Sequence, residues 1–126
     1  MAEFDWYGLF KRRFVGAGQN SLDGLRACFE HEESFRVEVW LGLVLFCVAP
    51  FIAGSFEQWA LLVAVVVVVW IVELLNSAVE ATVDRIGEDY HDLAKRAKDI
   101  GSAAVMLSML LVLVVWIPVI LEKIFY

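Results

Sequence analysis

The stretch that decides the fold of this chain is Trp70-Ile-Val-Glu-Leu-Leu-Asn-Ser-Ala-Val-Glu-Ala-Thr-Val-Asp-Arg-Ile-Gly87. It starts as the end of a long apolar run and finishes as a charged segment that ends in glycine. Four polar residues in it recur at helical spacing: Glu73, Asn76, Glu80 and Asp84. On a helix these positions share a face about 80° wide, so the spacing predicts a narrow polar stripe. Carboxylates inside a membrane helix are costly and indicate a functional site.

The composition indicates a membrane protein. Of the 126 residues, 61% are hydrophobic, whereas soluble domains have roughly 45–50% apolar residues. At this length we expect one domain. The formal net charge of −6 argues against nucleic acid as a partner. Cys28 and Cys47 do not have the spacing of metal ligands, and we expect both to be packing residues.

Three apolar runs predict an all-α integral membrane protein with three transmembrane helices. Val39–Phe56 and Ile100–Leu121 contain no charged residue, and Trp59–Val79 contains only Glu73. We expect a single membrane domain, 1–126. Its predicted segments are an amphipathic N-terminal surface region 1–36, spans 37–56, 59–83 and 100–121, and a cytoplasmic loop 84–99.

The first residues predict an amphipathic helix on the membrane surface. Aromatic residues at i, i+4 spacing alternate there with basic ones: Trp6, Phe10, Phe14, Lys11, Arg12 and Arg13. Gly16-Ala-Gly18 interrupts the pattern, so we expect a break there and a new helix that starts near Asn20 or Ser21. A flexible basic and aromatic tail is the alternative for the first segment.

The basic residues predict the orientation of the spans. Of the ten Lys and Arg residues, all but Lys123 lie before the first span or in the 84–99 loop. Basic residues concentrate in cytoplasmic segments. We therefore expect the N-terminus and the 84–99 loop to face the cytoplasm and the C-terminus to face outward.

The predicted topology brings polar groups from three elements to the cytoplasmic membrane face. Carboxylates from two elements, the end of the helix before the first span and the lower part of the second span, with a nearby amide suit Mg²⁺. Lys98 at the same level suits a nucleotide phosphate. Glu73, deeper among lipid, is placed to act as a general base on a hydroxyl. The pattern favours phosphoryl transfer from a cytosolic nucleotide to a lipid alcohol.

Each of these residues also has a plainer interpretation when it is taken alone. Glu73 is compatible with a polar group that bonds a neighbouring span, and Glu80 and Asp84 are compatible with interfacial charges. Trp116 is typical of an interface anchor, and Lys98 is typical of a cytoplasmic basic residue.

A different class of function is a small proton-coupled multidrug transporter, which also uses an intramembrane glutamate. A transporter does not explain the second carboxylate or the Lys98-Asp99 pair at the start of the third span. Three spans are also too few to surround Glu73 and Asn76, which favours shielding by partner chains.

The polar stripe is part of a longer resemblance. Glu-Leu-Leu-Asn-Ser-Ala-Val-Glu-Ala-Thr-Val-Asp-Arg-Ile-Gly at 73–87, Asp-Tyr-His at 89–91 and Arg-Ala-Lys-Asp-Ile-Gly-Ser-Ala-Ala at 96–104 resemble the prokaryotic diacylglycerol kinase family. Gly-Leu-Arg-Ala at 24–27 and the segment 32–36 also fit. The resemblance implies an ATP- and Mg²⁺-dependent kinase of the bacterial inner membrane that converts diacylglycerol to phosphatidic acid. It also implies a homotrimer with active sites between subunits.

The resemblance implies a role for each matching position. Glu73 is similar to the family's general base, Asn76 to a residue beside it, and Glu32 and Glu80 to the metal carboxylates. The implied nucleotide contacts are Arg13, Asn20, Glu32, Glu80, Asp89, Tyr90, His91, Lys98 and Asp99. The implied lipid contacts are Arg13, Ser21, Arg26, Phe35, Arg36, Glu73, Ser102 and Trp116. Asp84 has no implied role, and we expect it to be structural at the helix end.

The chain departs from the family pattern at two positions. Val37 replaces a glutamine and Asn20 a tyrosine of the enterobacterial members, which affects the expected lipid and nucleotide contacts. A related branch phosphorylates undecaprenol. Gly101-Ser-Ala-Ala104 favours the diacylglycerol branch, whereas Leu93-Ala-Lys95 is similar to the undecaprenol branch. We expect diacylglycerol as the acceptor, with undecaprenol as the alternative.

Overall fold

The computed structural model describes residues 5–87 and 89–125, which form four α-helices and no strand. The helices are α1 Trp6–His31, α2 Glu33–Ile52, α3 Phe56–Ile86 and α4 Asp92–Phe125. The prediction of an all-α chain is therefore confirmed. Residues 1–4 of the expected surface region lie outside the described residues. The helices belong to two units, which divide between Glu33 and Ser34.

The N-terminal unit consists of α1, which is continuous from Trp6 to His31. Its start is capped by Asp5, whose carboxylate accepts a hydrogen bond from the N–H of Gly8 at 2.8 Å. The predicted break at Gly16-Ala-Gly18 is wrong. A helical glycine costs only about 1 kcal/mol relative to alanine, and neither of these glycines has a positive φ. The helix therefore continues through both glycines.

The second unit contains α2, α3 and α4, and each is long and apolar enough to cross a membrane. The three predicted transmembrane helices are thus confirmed by length and composition. Ser55 caps α3, because its hydroxyl accepts a hydrogen bond from the N–H of Gln58 at 3.2 Å. The C-terminal end of α3 and the N-terminal end of α4 extend beyond the apolar runs. Most of the charged 84–99 segment is consequently helical, and only residues 87–91 connect the two helices.

The core of the second unit joins all three of its helices. Its buried residues are Ala49, Leu62, Val65, Val66 and Trp116. Trp116 donates its indole N–H to the carbonyl of Leu62 at 3.2 Å, which ties α4 to α3. Trp70 donates its indole N–H to the carbonyl of Glu38 at 3.0 Å, which ties α3 to α2. Close packing and such interhelical bonds are what hold helices together in lipid.

We expect Leu62→Ala to lower the free energy of unfolding by about 2–4 kcal/mol, because the Leu62 side chain is fully buried and its loss leaves a cavity. Equilibrium unfolding of the purified protein in detergent micelles measures this change. Leu61→Ala is the matched control, since Leu61 is the next residue of α3 but is 51% exposed. Equal losses in the two variants would contradict this core.

Candidate functional site

Glu73 lies on α3 and its side chain is buried, since only 3% of the residue is exposed. Ser34, in the first turn of α2, donates its hydroxyl to Oε1 of Glu73 at 2.5 Å. A carboxylate in an apolar surrounding is tolerated only when it is hydrogen-bonded. The bond therefore stabilises the buried carboxylate and fixes the start of α2 against α3.

A second carboxylate, Glu38, lies beside Glu73 and is 8% exposed. It stands one turn after Ser34 on α2. Its Oε2 atom is buried and has no hydrogen-bond partner among the described residues. A buried acceptor without a partner is a place where a ligand donor can bind. Ser34 and Glu38 thus join the candidate site, although neither is among the site residues that were assigned a role individually from the sequence.

The sequence does carry a signal for Glu38. It lies inside the predicted span 37–56, so the argument that a carboxylate in a span marks a site applies to it as well as to Glu73. Ser34 has no comparable signal, because a serine next to an interface is ordinary. Only the contact between α2 and α3 reveals its role.

Asn76 and Glu80 continue the stripe along α3. The amide nitrogen of Asn76 donates to Oε1 of Glu80 at 3.3 Å. The amide oxygen of Asn76 is buried and has no hydrogen-bond partner within residues 5–87 and 89–125. Gly101 of α4 faces this amide, and a Cβ at position 101 would overlap the amide oxygen. Glycine at 101 therefore allows α4 to approach the polar stripe of α3 closely.

Lys98 and Asp84 form an ion pair that connects the ends of α3 and α4. The distance from Lys98 Nζ to Asp84 Oδ1 is 2.5 Å. Glu80 also acts electrostatically on Lys98. On the same helix, Lys95 pairs with Asp99 over one turn. The structure thus gives Asp84 a partner at the helix end and brings Lys98 to the lower end of the polar stripe.

The connection between α3 and α4 carries three of the predicted nucleotide contacts. Asp89, Tyr90 and His91 are exposed there and line an open cavity of about 500 Å³ together with residues of α3 and α4. Ala97 also lines this cavity, and it precedes Lys98 in the chain. The three residues and Lys98 consequently lie at the same end of the second unit.

Five predicted site residues lie in the N-terminal unit: Arg13, Asn20, Ser21, Arg26 and Glu32. All but Glu32 are exposed. Arg26 pairs with Glu30 at 3.0 Å, and the hydroxyl of Ser21 donates to the carbonyl of Ala17. Glu32 directly follows α1 as its C-cap residue. Their contribution to a site around Glu73 stays a prediction.

The remaining predicted lipid contacts lie at different depths. Phe35 is buried in the first turn of α2, next to Ser34, and Arg36 follows it. Ser102 is exposed on α4. Trp116 is buried in the core about 21 Å farther along α4 than Ser102. The structure does not bring Trp116 to Glu73, and a lipid contact by Trp116 stays a prediction.

Polar side chains of α3 offer oxygen atoms that suit a metal ion bound together with a nucleotide. Within the described ranges, no three His, Cys, Asp or Glu side chains form a group that could hold a metal. Mg²⁺ needs only one or two protein carboxylates, because waters and substrate phosphates complete its shell. Glu80 and the unpartnered amide oxygen of Asn76 offer oxygen ligands of the kind that it prefers. These residues fit a magnesium–nucleotide complex.

Comparison with known proteins gives one consistent result. The family profile described as prokaryotic diacylglycerol kinase matches residues 19–120. A diacylglycerol kinase of Pseudomonas aeruginosa is 44% identical over 110 residues, which cover 87% of this chain and 89% of the relative. One of Escherichia coli K12 is 42% identical over 104 residues, covering 82% and 85%. One of Helicobacter pylori is 37% identical over 107 residues, covering 85% and 83%.

We expect a double-mutant cycle of Asp84→Asn and Lys98→Met to give a favourable coupling in the free energy of unfolding. The coupling should weaken as the salt concentration rises, because both side chains are partly exposed and salt screens such pairs. The same cycle on Lys95 and Asp99 is the control for a pair within one helix. Additive effects of Asp84→Asn and Lys98→Met at low salt would contradict the ion pair.

Proposed function

Because the chain belongs to the prokaryotic diacylglycerol kinase family, we propose that it transfers the γ-phosphate of ATP to the hydroxyl of diacylglycerol, giving phosphatidic acid. The observation that carries this function is the buried Glu73 carboxylate on a membrane-spanning helix. A base at lipid depth is what a lipid hydroxyl requires, and the charged end of the same helix suits a nucleotide.

Glu73 acts as the general base in this proposal. The lipid hydroxyl oxygen attacks the γ-phosphorus, its proton passes to Glu73, and ADP leaves with the bridging oxygen. Ser34 holds one carboxylate oxygen of Glu73 and so orients the base before the substrate arrives. Positioning of this kind accounts for much of the catalysis in phosphoryl transfer.

The nucleotide binds at the charged end of α3 and α4. Lys98 contacts its phosphates, and in the free protein Asp84 holds the ammonium group in place. Asp89, Tyr90, His91 and Asp99 supply further contacts, as the resemblance implies. Glu80 and the amide oxygen of Asn76 would hold Mg²⁺, and the resemblance implies Glu32 as a second carboxylate ligand. When bound, Mg²⁺ neutralises negative charge on the transferred phosphoryl group.

We place the protein in the bacterial inner membrane, with the N-terminus and residues 87–91 on the cytoplasmic side. The distribution of basic residues supports this orientation. In α1, the side chains of Trp6, Phe10 and Phe14 are 73%, 61% and 63% exposed, which supports contact of this helix with the membrane surface.

A homotrimer with sites between subunits is part of the proposal and is supported by the family resemblance. The side chain of Glu73 is buried within a single chain, because α2 supplies Ser34 and covers it. Shielding of this carboxylate therefore does not require a second copy.

The experiment that tests the function is phosphorylation by the purified protein in mixed micelles, with ATP labelled at the γ-phosphate. We expect Mg²⁺-dependent transfer of label to diacylglycerol, and less transfer to undecaprenol in a parallel reaction. Preferred labelling of undecaprenol would correct the acceptor. If neither lipid is labelled, the kinase proposal fails.

We expect Glu73→Gln to lower kcat by about 10²–10⁴-fold, since the amide cannot accept the proton of the hydroxyl. Nucleotide binding, measured with a fluorescent ATP analogue, should be nearly unchanged because Lys98 lies at a different level. Glu57→Gln is the matched control, since Glu57 is an exposed carboxylate in the first turn of the same helix. Turnover of Glu73→Gln near that of Glu57→Gln would remove Glu73 as the base.

We expect Glu80→Gln to raise the Mg²⁺ concentration needed for half-maximal activity by about tenfold or more, because a ligating carboxylate is lost. Titration of Mg²⁺ at saturating lipid measures this effect. Glu122→Gln, at the far end of α4, serves as the control. An unchanged Mg²⁺ requirement in Glu80→Gln would refute a ligand role for Glu80.

A further inference from the structure

A cavity of about 210 Å³ lies among α2, α3 and α4, next to the buried carboxylates. Glu38 lines one end, and the other lining residues are apolar, among them Gly42, Leu45, Val66 and Trp70. An apolar cavity of about 150 Å³ is already large enough to bind benzene. The cavity therefore has room for a segment of hydrocarbon.

The cavity continues the site toward the middle of the span. Trp70 precedes Glu73 by one turn, about 4.5 Å along α3, and Val66 lies about 10.5 Å from Glu73. Leu41 and Leu113 on its rim are 58% and 51% exposed, so the cavity opens toward the lipid. A lipid whose hydroxyl reaches Glu73 would extend its hydrocarbon chain into this cavity.

The position of Glu38 indicates what kind of molecule fills the cavity. This residue is 8% exposed and has a buried oxygen without a hydrogen-bond partner among the described residues. An apolar side chain of a second copy would leave that oxygen unpaired, which is costly. An amphiphile whose single hydroxyl lies between the neighbouring carboxylates Glu38 and Glu73 brings a donor to this pair and apolar surface to the cavity.

Trp70 and Gly42 together set the width of the cavity. The Trp70 ring is fixed by its N–H bond to the Glu38 carbonyl at 3.0 Å and by the Phe46 ring, 5.2 Å away between centroids. A Cβ added to Gly42 would lie 2.6 Å from Cζ2 of Trp70 and 2.8 Å from Cγ1 of Val66. A larger residue at position 42 therefore fits only if the side chains of Trp70 and Val66 move.

We propose that this cavity holds the first segment of one acyl chain of the lipid acceptor, and that Trp70 and Gly42 determine how bulky that segment can be. The proposal rests on the kinase function proposed above and deepens it. Trp70 is a specificity-determining residue here and takes no part in the transfer of the phosphoryl group.

The test compares a straight-chain diacylglycerol with one that carries a methyl branch near the carbonyl end of its acyl chains. Trp70→Leu should raise the ratio of kcat/KM for the branched acceptor to that for the straight one by about fourfold for each methyl group newly accommodated. The KM for ATP should not change. Trp40→Leu is the matched control, because Trp40 is a 63% exposed tryptophan on α2.

Gly42→Ala provides the opposite change. The added methyl group would overlap the Trp70 ring and displace this wall of the cavity, so KM for both lipids should rise while kcat for the straight-chain lipid is largely kept. Trp70→Leu in the Gly42→Ala background should restore the lower KM, because it removes the ring that the methyl group meets. A structural defect alone would not be repaired by a second loss of packing.

The outcomes separate this proposal from the function on which it rests. If the wild-type protein phosphorylates no diacylglycerol, the kinase function fails. If it is active but Trp70→Leu and Trp40→Leu give the same ratio of branched to straight acceptor, the acyl subsite is overturned and the function stands.

If the Trp70 variants do not fold, a photoreactive diacylglycerol tests in the wild-type protein whether the cavity holds an acyl chain. Its diazirine sits near the carbonyl end of the acyl chain. Labelling of cavity residues such as Leu41 or Met109, competed by unlabelled diacylglycerol, supports the proposal. Labelling confined to residues outside the cavity overturns it, as does a cavity filled by a second copy of the chain.

Discussion

A carboxylate inside an apolar span has to be hydrogen-bonded, and in this protein the bond crosses from α3 to α2. Glu73 accepts it from Ser34, so the start of α2 is held against the buried carboxylate. Glu38 follows on the same helix and reaches the same buried region. The burial of Glu73 thus helps to set the position of α2, which brings a second carboxylate and an apolar cavity next to the proposed base.

Three contacts at different positions along the helices hold α3 against α4, and each has a different physical basis. Trp116 bonds the carbonyl of Leu62 in the core. Gly101 admits the amide of Asn76 by having no side chain. Lys98 and Asp84 form an ion pair at the charged end. Together these contacts fix α3 and α4 against each other and hold Lys98 and Asn76, the residues proposed to contact phosphate and metal, on adjacent helices.

The sequence predicted the features that depend on composition and periodicity. The apolar runs gave three membrane helices, and the spacing from Glu73 to Asp84 gave the polar stripe. It did not predict that α1 continues through Gly16 and Gly18, because the helix tolerates a small local cost. Nor did it predict Ser34 as the partner of Glu73, since that bond joins residues 39 positions apart. Trp116 packs in the core, where its indole N–H donates to the carbonyl of Leu62, and its contact with the lipid stays a prediction.

The helix α3 is unbroken from Phe56 to Ile86, so no flexible joint separates the carboxylate at lipid depth from the carboxylate near water. Their spacing is set by the helical rise, and their common direction by the helical turn. A residue inserted between Glu73 and Glu80 would rotate one about the axis by about 100° relative to the other. This segment is therefore far less tolerant of a change in length than of a change in side chain, and homologous chains are expected to align through it without a gap.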